Sequence, residues 1–123
     1  MRRYRISALA EQDLEAILAW SHEQFGEQGR LRYEALLVQA ILDVAENPQR
    51  VGCISRPELA HSAFTYHLRS SRDRTSRSMG RVRNSPHFLI CRMATDGYLE
   101  VGRVLHDSMD LARHLPVEYR PPT

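Results

Sequence analysis

The chain has 123 residues, of which 42% are hydrophobic, so it is long enough to form one domain with a substantial core. All 17 basic residues are arginine, and the lack of lysine excludes mechanisms that need a lysine amine, such as a lysine Schiff base or a phosphate-loop lysine. No apolar run approaches the roughly 20 residues of a membrane span, and the N-terminus lacks the apolar region of a signal peptide. We therefore expect residues 1–123 to form a single cytoplasmic domain that does not enter a membrane.

The small net charge of +2 conceals an uneven distribution along the chain. Residues 1–50 carry six arginines against eight acidic residues, whereas residues 51–123 carry eleven against seven. Within residues 69–83 there are six arginines and one acidic residue. An acidic half and a basic half predict a protein with two different faces, which suits two kinds of partner.

The chain begins with a predicted short strand and a first helix. Residues 3–7 alternate briefly, and the Ser7 hydroxyl is suited to cap a helix over residues 8–25. Gly26 is suited to end that helix in a left-handed conformation. The residues that recur at helical spacing, and should face the core, are Leu14, Ile17, Leu18, Ser21 and Phe25.

A second helix is predicted over residues 28–46, ending at Asn47-Pro48. The short joint between the helices requires them to run antiparallel as a hairpin. Trp20 and Leu36 fall partly outside the apolar stripes, which indicates either the periphery of the core or a contact with a partner chain. The stripe of the second helix consists of Tyr33, Leu37, Ala40, Ile41 and Val44.

Residues 49–62 contain Gly52 and Pro57 and no sustained period, so they are predicted to be loop. Residues 64–70 alternate apolar and polar side chains and predict a strand. Residues 70–86 are polar, arginine-rich and aperiodic, which predicts a long hairpin loop. That loop is either a solvated excursion or an arm that contacts phosphate or a partner. The inward-facing residues of the strand should be Phe64, Tyr66 and Leu68.

The last two predicted strands, residues 87–94 and 98–106, flank the pair Asp96-Gly97, which is a strong hairpin signal. Cys91, inside the first of them, is expected to be a small core residue. Polar side chains gather where the second strand ends, and rigid strand ends are where small domains often place recognition residues. These residues are His106, Asp107, Met109 and Asp110.

The element order β-α-α-β-β-β predicts an α+β fold, in which the helical hairpin packs on one face of an antiparallel sheet and the other face stays open. No phosphate loop, nucleotide-binding glycine pattern, nucleophile elbow or zinc spacing is present. We therefore expect neither a metal ion nor a cofactor. His106 and Asp107 are adjacent on a strand, so they should point to opposite faces.

The sequence resembles the ParE toxins of the RelE/ParE superfamily over nearly its whole length. The final segment, Arg103 to Asp110 followed by His114-Leu115, resembles the ParE C-terminal signature. The arginine-rich insert at residues 70–86 is longer than the connection typical of the family. The remaining matching segments are Tyr4-Arg5-Ile6-Ser7 with Ala10, Asp13, Leu14 and Ile17, the break at Phe25-Gly26, and Glu46-Asn47-Pro48.

This resemblance implies the toxin of a type II toxin–antitoxin system, with a cognate ParD-like antitoxin as partner in a toxin–antitoxin hetero-oligomer. ParE-like toxins are associated with inhibition of DNA gyrase, whereas RelE-like relatives are ribosome-dependent mRNA endoribonucleases. RelE-like sites cluster Lys, Arg and a C-terminal Tyr or His on the open sheet face. The lack of lysine favours a gyrase-directed toxin without enzymatic activity.

Under this interpretation the residues divide into three candidate groups. The candidate contacts with the target lie at the end of the last strand and are His106, Asp107, Met109 and Asp110. An endoribonuclease would instead draw its catalytic residues from Arg69, Arg81, Arg83 and His106. The candidate antitoxin contacts are the off-stripe Trp20 and Leu36 and the arginines Arg69, Arg81, Arg83 and Arg103.

Overall fold

A computed structural model describes residues 3–75, 82, 85–109, 111–116 and 119. The strands are β1 (Tyr4–Ile6), β2 (Cys53–Ser55), β3 (Ala63–His67), β4 (His87–Met93) and β5 (Leu99–His106). The helix α1 spans Ala8–Glu46, and two short 3-10 helices span Leu68–Arg74 and Leu111–His114. The α+β class predicted from the sequence is confirmed.

Helix α1 is a hairpin of two legs, residues 8–25 and residues 27–46, that meet at Gly26. Gly26 has φ 75° and ψ −175°, a conformation that favours glycine and breaks the helix. The Trp20 and Tyr33 ring centroids are 6.3 Å apart, whereas thirteen residues of straight helix would span about 20 Å. The predicted antiparallel hairpin is therefore confirmed, and so is the Ser7 cap, whose hydroxyl accepts from the Ala10 N–H at 3.0 Å.

The sheet contains five strands in the order β1-β5-β4-β3-β2. The number of strands and their directions differ from the sequence prediction. β2 lies within residues 49–62, which were predicted to be loop, because three residues are too few to reveal a period. The sheet is also mixed, since β1 pairs in parallel with β5 while the other pairs are antiparallel. Strand direction depends on a pairing partner about ninety residues away along the chain, so it leaves no local signal.

The main core lies between the two legs of α1 and one face of the sheet, which we call the helix face. Phe64, Tyr66 and Leu68 all contribute to it, as predicted, and so does Cys91. Phe25 does not, because its side chain remains 62% exposed beside the break at Gly26. The stripe predicted for the second leg is entirely buried.

The opposite face of the sheet, which we call the outer face, was expected to be open, and this was wrong. Tyr119 is buried there against Phe88, Ile90 and Leu105. Gly102 allows this, because a Cβ at that position would lie 2.7 Å from the Tyr119 ring. The Tyr119 hydroxyl donates to the Glu100 carbonyl at 2.9 Å, which fixes Tyr119 on the sheet.

The segment after β3 also differs from its prediction. β3 ends at His67, and residues Leu68–Arg74 form a 3-10 helix instead of the end of a strand and the start of a loop. Ser71 and Arg74 in this helix bind the buried Asp43 of α1, so a contact distant in sequence determines its conformation. The β4–β5 hairpin is confirmed, with Gly97 at φ 88° and the Ala94 N–H donating to the Tyr98 carbonyl at 2.8 Å.

Candidate functional site

One end of the sheet collects ionisable side chains from three strands. β3 and β5 end there, at His67 and His106, and β4 begins there at His87. His87 pairs with His106 in the ladder, and His67 pairs with Phe88. Because side chains alternate along a strand, His87 and His106 share the helix face, while His67 lies on the outer face.

On the outer face, His67 lies in a cleft of about 320 Å³. The His67 Nε2 lies 3.4 Å from an Asp107 carboxylate oxygen, and the His67 Nδ1 accepts from the Arg69 N–H at 3.2 Å. Burial lowers the pKa of His67, and Asp107 partly opposes this effect. The ring therefore carries its proton on Nε2, directed at Asp107. The cleft is lined by Gly52, Ile54, Arg56, Thr65, His67, Arg69, Ser70, Phe88, Asp107 and Met109.

His106 has different surroundings from the cleft. Its Nδ1 accepts from the Ser108 N–H at 3.1 Å and lies 2.8 Å from the Ser108 hydroxyl. Its ring contacts the His87 ring at a centroid distance of 5.4 Å. Asp107 stands between the two histidine environments, with its carboxylate 3.5 Å from the His106 Nδ1. Arg69 and His106, which the sequence suggested for one catalytic site, therefore do not line the same cleft.

A cluster of aromatic side chains connects this end of the sheet to the tip of the helical hairpin. Trp20 makes edge contacts with Phe25, Tyr33 and His87. The Tyr33 hydroxyl and the His87 Nδ1 form a buried hydrogen bond of 2.6 Å. Burial raises the pKa of Tyr33, so the phenol keeps its proton. Burial also lowers the pKa of His87 to about 4, with a smaller contribution from His106.

Acidification is expected to destabilise the fold through His87. The ring stays neutral in the folded state down to about pH 4 but protonates near pH 6.5 when unfolded, so the unfolded state binds more protons between these values. The free energy of unfolding should therefore fall as the pH drops from 6.5 to 4, and His67, whose pKa is also lowered, adds to the effect. Urea unfolding at several pH values measures this.

A His87→Gln variant should have a shallower loss of stability over this pH window than the wild type. The matched control, His22→Gln, changes an exposed histidine on α1 and should follow the wild-type profile. If stability depended on pH equally in His87→Gln and His22→Gln, the loss of stability on acidification could not be assigned to His87.

The structure distinguishes among the residues that the sequence nominated. Trp20 is 36% exposed and Met109 44% exposed, so both can contact a partner. Leu36 is fully buried in the core, so it is not available as an antitoxin contact. Leu36 lies at the edge of the apolar stripe and is still buried, because the second leg packs against both the sheet and the first leg. Arg81, Arg83 and Asp110 lie outside the described residues.

Arg103, also nominated as an antitoxin contact, is engaged within the fold. Its guanidinium donates to both carboxylate oxygens of Asp13, at 2.8 and 2.9 Å, and to the His114 carbonyl at 3.0 Å. Asp13 also accepts from the Val104 N–H at 3.0 Å. The ion pair of Arg103 with Asp13 joins the first leg of α1 to β5, so we assign Arg103 a structural role.

Two residues of the outer cleft, Arg56 and His67, were not nominated from the sequence. His67 and Arg69 flank Leu68 in an alternating run, which is a weak signal that both face away from the core. Arg56 lies in a segment predicted to be loop, and nothing local placed it beside β3. Asp107 and Met109, by contrast, were correctly placed at the end of β5.

A small apolar groove lies on the other side of the molecule, between both legs of α1 and the edge strand β1. Its volume is about 150 Å³. The groove is lined by Tyr4, Ile6, Leu14, Leu18, Glu34, Leu37, Val38 and Ile41.

Within the described part of the chain, no helix is both long enough and apolar enough to cross a membrane.

Comparison with known families matches this chain to one family model. The model is described as the ParE toxin of type II toxin–antitoxin system, parDE, and it covers residues 4–111. The match begins at β1 and ends just beyond the polar end of β5. A search of curated proteins finds no match. Since the family model covers most of the chain, the protein belongs to the ParE toxin family of type II toxin–antitoxin systems.

Proposed function

We propose that this toxin acts on DNA gyrase and is held inactive by a ParD-like antitoxin. The observation that carries the proposal is the ParE family match, which extends through the polar end of β5. Membership in the family makes the chain the toxin of a toxin–antitoxin pair, and the description of the family names the parDE pair. Gyrase as the target follows from the resemblance to ParE toxins.

The chemistry of the site supports a target-binding role over RNA cleavage. Cleavage through the RNA 2′-hydroxyl needs a base, an acid and cations that stabilise the developing phosphorane charge. The chain has no lysine to supply such a cation. Arg69 and His106 are in different environments, separated by Asp107. His106, Asp107 and Met109 instead form a partly exposed strand end that suits contact with a protein.

The decisive experiment is a direct comparison of two activities of the purified toxin. Supercoiling by purified gyrase should be inhibited, and mRNA added to a translation extract should remain intact. Codon-specific mRNA cleavage without any effect on gyrase would overturn the proposal.

Replacing His106 with alanine removes one side chain of the proposed contact with the target, so toxicity in cells is expected to fall only modestly. If His106 were a general acid, its removal would instead reduce the rate by roughly 10²–10⁴-fold. Growth arrest with induction of the DNA-damage response, compared between the wild type and His106→Ala, measures the effect. His22→Ala, at an exposed helical position, is the control. Loss of a wild-type mRNA cleavage activity in His106→Ala would contradict the prediction.

An mRNA endoribonuclease is the second candidate, and the outer cleft is the observation that favours it. There a neutral His67 is oriented by Asp107, and the exposed Arg69 lies close enough to bind a phosphate. Under this alternative, His67→Asn and Arg69→Gln would abolish mRNA cleavage while the protein stays folded. If neither variant changes any cleavage that is observed, the outer cleft is not its catalytic site.

The groove beside β1 is our proposed docking place for an amphipathic helix of the antitoxin. Its walls are apolar, with Leu14 and Leu18 from one leg and Leu37 and Ile41 from the other. A disordered segment that folds on binding commonly places the apolar face of a helix into such a groove. Arg69 lies away from this groove, in the outer cleft, so a different segment of the antitoxin would have to reach it. Exposed ion pairs there would each contribute about 0–1 kcal/mol.

A further inference from the structure

The edge strand β2 has a free edge that no described strand covers. The Arg56 N–H donates to the Ala63 carbonyl at 2.8 Å, which makes Arg56 and Ala63 a hydrogen-bonded pair. Along an antiparallel ladder, hydrogen-bonded pairs alternate with non-hydrogen-bonded pairs, so Ile54 and Thr65 form the next hydrogen-bonded pair. The N–H and carbonyl of Ser55, which lies between Ile54 and Arg56, therefore point away from β3. The Ser55 N–H and carbonyl are therefore available to an added strand.

Clefts lie on both sides of this edge, and successive residues of β2 line them alternately. Ile54 and its neighbour Arg56 line the 320 Å³ cleft of the outer face. Cys53 and Ser55 line a cleft of about 640 Å³ on the helix face. Addition of a strand to an exposed edge obtains affinity from main-chain hydrogen bonds and specificity from pockets for alternate side chains. The free edge of β2 provides the main-chain hydrogen-bonding groups, and the two clefts provide the pockets for side chains.

The two clefts differ in chemistry. The outer cleft carries Arg69 and Arg56, and both guanidiniums suit carboxylates, although Arg56 also pairs with the exposed carboxylate of Glu58. The carboxylate of Asp107 in the same cleft lies beside His67. The cleft on the helix face offers the apolar Phe64 and Met93 together with the carboxylate of Glu46, which disfavours a second acidic group. A strand that fits both clefts therefore alternates acidic residues toward the outer face with apolar residues toward the helix face.

We propose that the free edge of β2 binds an extended, acidic segment of the antitoxin as an added strand, with its carboxylates on Arg56 and Arg69. This inference rests on the proposed function only in naming the antitoxin as the occupant. The basic half of the chain, residues 51–123, supplies the complementary charge. The 60% exposure of Ile54 on the outer face leaves room for the neighbouring strand. The added strand would also cover part of the outer cleft.

The first test measures binding of a fluorescent peptide, in which valine alternates with glutamate, to the full chain. Ser55→Pro removes the N–H that bonds the added strand but leaves the β2–β3 ladder intact, because that N–H points outward. We expect binding about tenfold weaker in Ser55→Pro and unchanged in Ser55→Ala. Equal binding by both variants, or no binding by the wild type, would overturn the proposal.

The charge requirement is tested separately, which also covers the case that Ser55→Pro fails to fold. The double variant Arg56→Gln with Arg69→Gln should weaken binding of the glutamate peptide and remove most of its salt dependence. Arg32→Gln, on α1, is the control for a change in net charge. A peptide with lysine in place of glutamate should not bind. If the lysine peptide binds equally well, the proposed charge complementarity is wrong.

The occupant is tested with the complex of the full chain and its co-encoded antitoxin. Ser55→Pro should accelerate dissociation of this complex relative to Ser55→Ala. If the complex forms and the two variants dissociate at the same rate, the inference about β2 is wrong although the toxin–antitoxin pair stands. Failure to inhibit gyrase would count against the proposed target and leave the result at β2 unaffected.

Discussion

Replacing Asp43 with alanine is expected to lower the free energy of unfolding by about 3–5 kcal/mol, because it removes the central acceptor of a buried ionic network. The Asp43 carboxylate accepts from the Ser71 hydroxyl at 2.6 Å and from the Arg74 Nε at 2.9 Å. It also accepts from the Gln39 amide at 2.8 Å and lies 3.2 Å from an Arg50 nitrogen. Urea unfolding of the full chain measures the loss.

Arg50 explains why this effect should be large. It is half-buried, its Nε already has no hydrogen-bond partner among the described residues, and loss of Asp43 would leave its charge uncompensated. The control is Glu46→Ala, which removes an exposed carboxylate from the last turn of the same helix and should change stability by less than about 1 kcal/mol. Similar losses in the two variants would contradict a structural role for Asp43.

Replacing Leu36 with alanine is expected to destabilise the fold by about 2–5 kcal/mol, because it leaves a cavity in the core. Leu36 is fully buried, whereas Val38, two residues away on the same leg, is 51% exposed. Val38→Ala is therefore the matched control and should cost less than about 1 kcal/mol. Thermal and urea unfolding of both variants measure the difference.

These two variants also separate stability from partner binding. Val38 lines the groove beside β1, so Val38→Ala should weaken antitoxin binding without unfolding the toxin. Leu36→Ala should affect binding only through stability. A Leu36→Ala protein that stays as stable as the wild type but binds the antitoxin more weakly would restore Leu36 as a contact residue.

Local patterns in the sequence determined the elements that depend on neighbouring residues. Gly26 breaks the helix because it alone there adopts positive φ without a steric penalty, and Ser7 caps it through a contact three residues away. The alternation of β3 correctly predicted which side chains face the core. The Asp96-Gly97 turn placed Asp107 at the end of β5.

The candidate site was predictable only in part. The residues after β5 were identified because they end a strand that the hairpin signal defines. The partner of Asp107 across the sheet, His67, was not selected, because forty residues separate them along the chain. Arg56 was missed for a similar reason, since β2 exists only by pairing with β3.

Only the tertiary structure decided the contacts between distant segments. The parallel pairing of β1 with β5, the cover of the outer face by Tyr119 and the binding of Arg103 to Asp13 each join residues far apart in the sequence. An arginine in a strand has the same local pattern whether it faces solvent or a half-buried carboxylate such as Asp13. The sequence by itself determined the periods, breaks and caps, because these depend on neighbours within a few residues. Strand order, strand direction and the free edge of β2 depend on which surfaces pack together, so they emerged only in the folded chain.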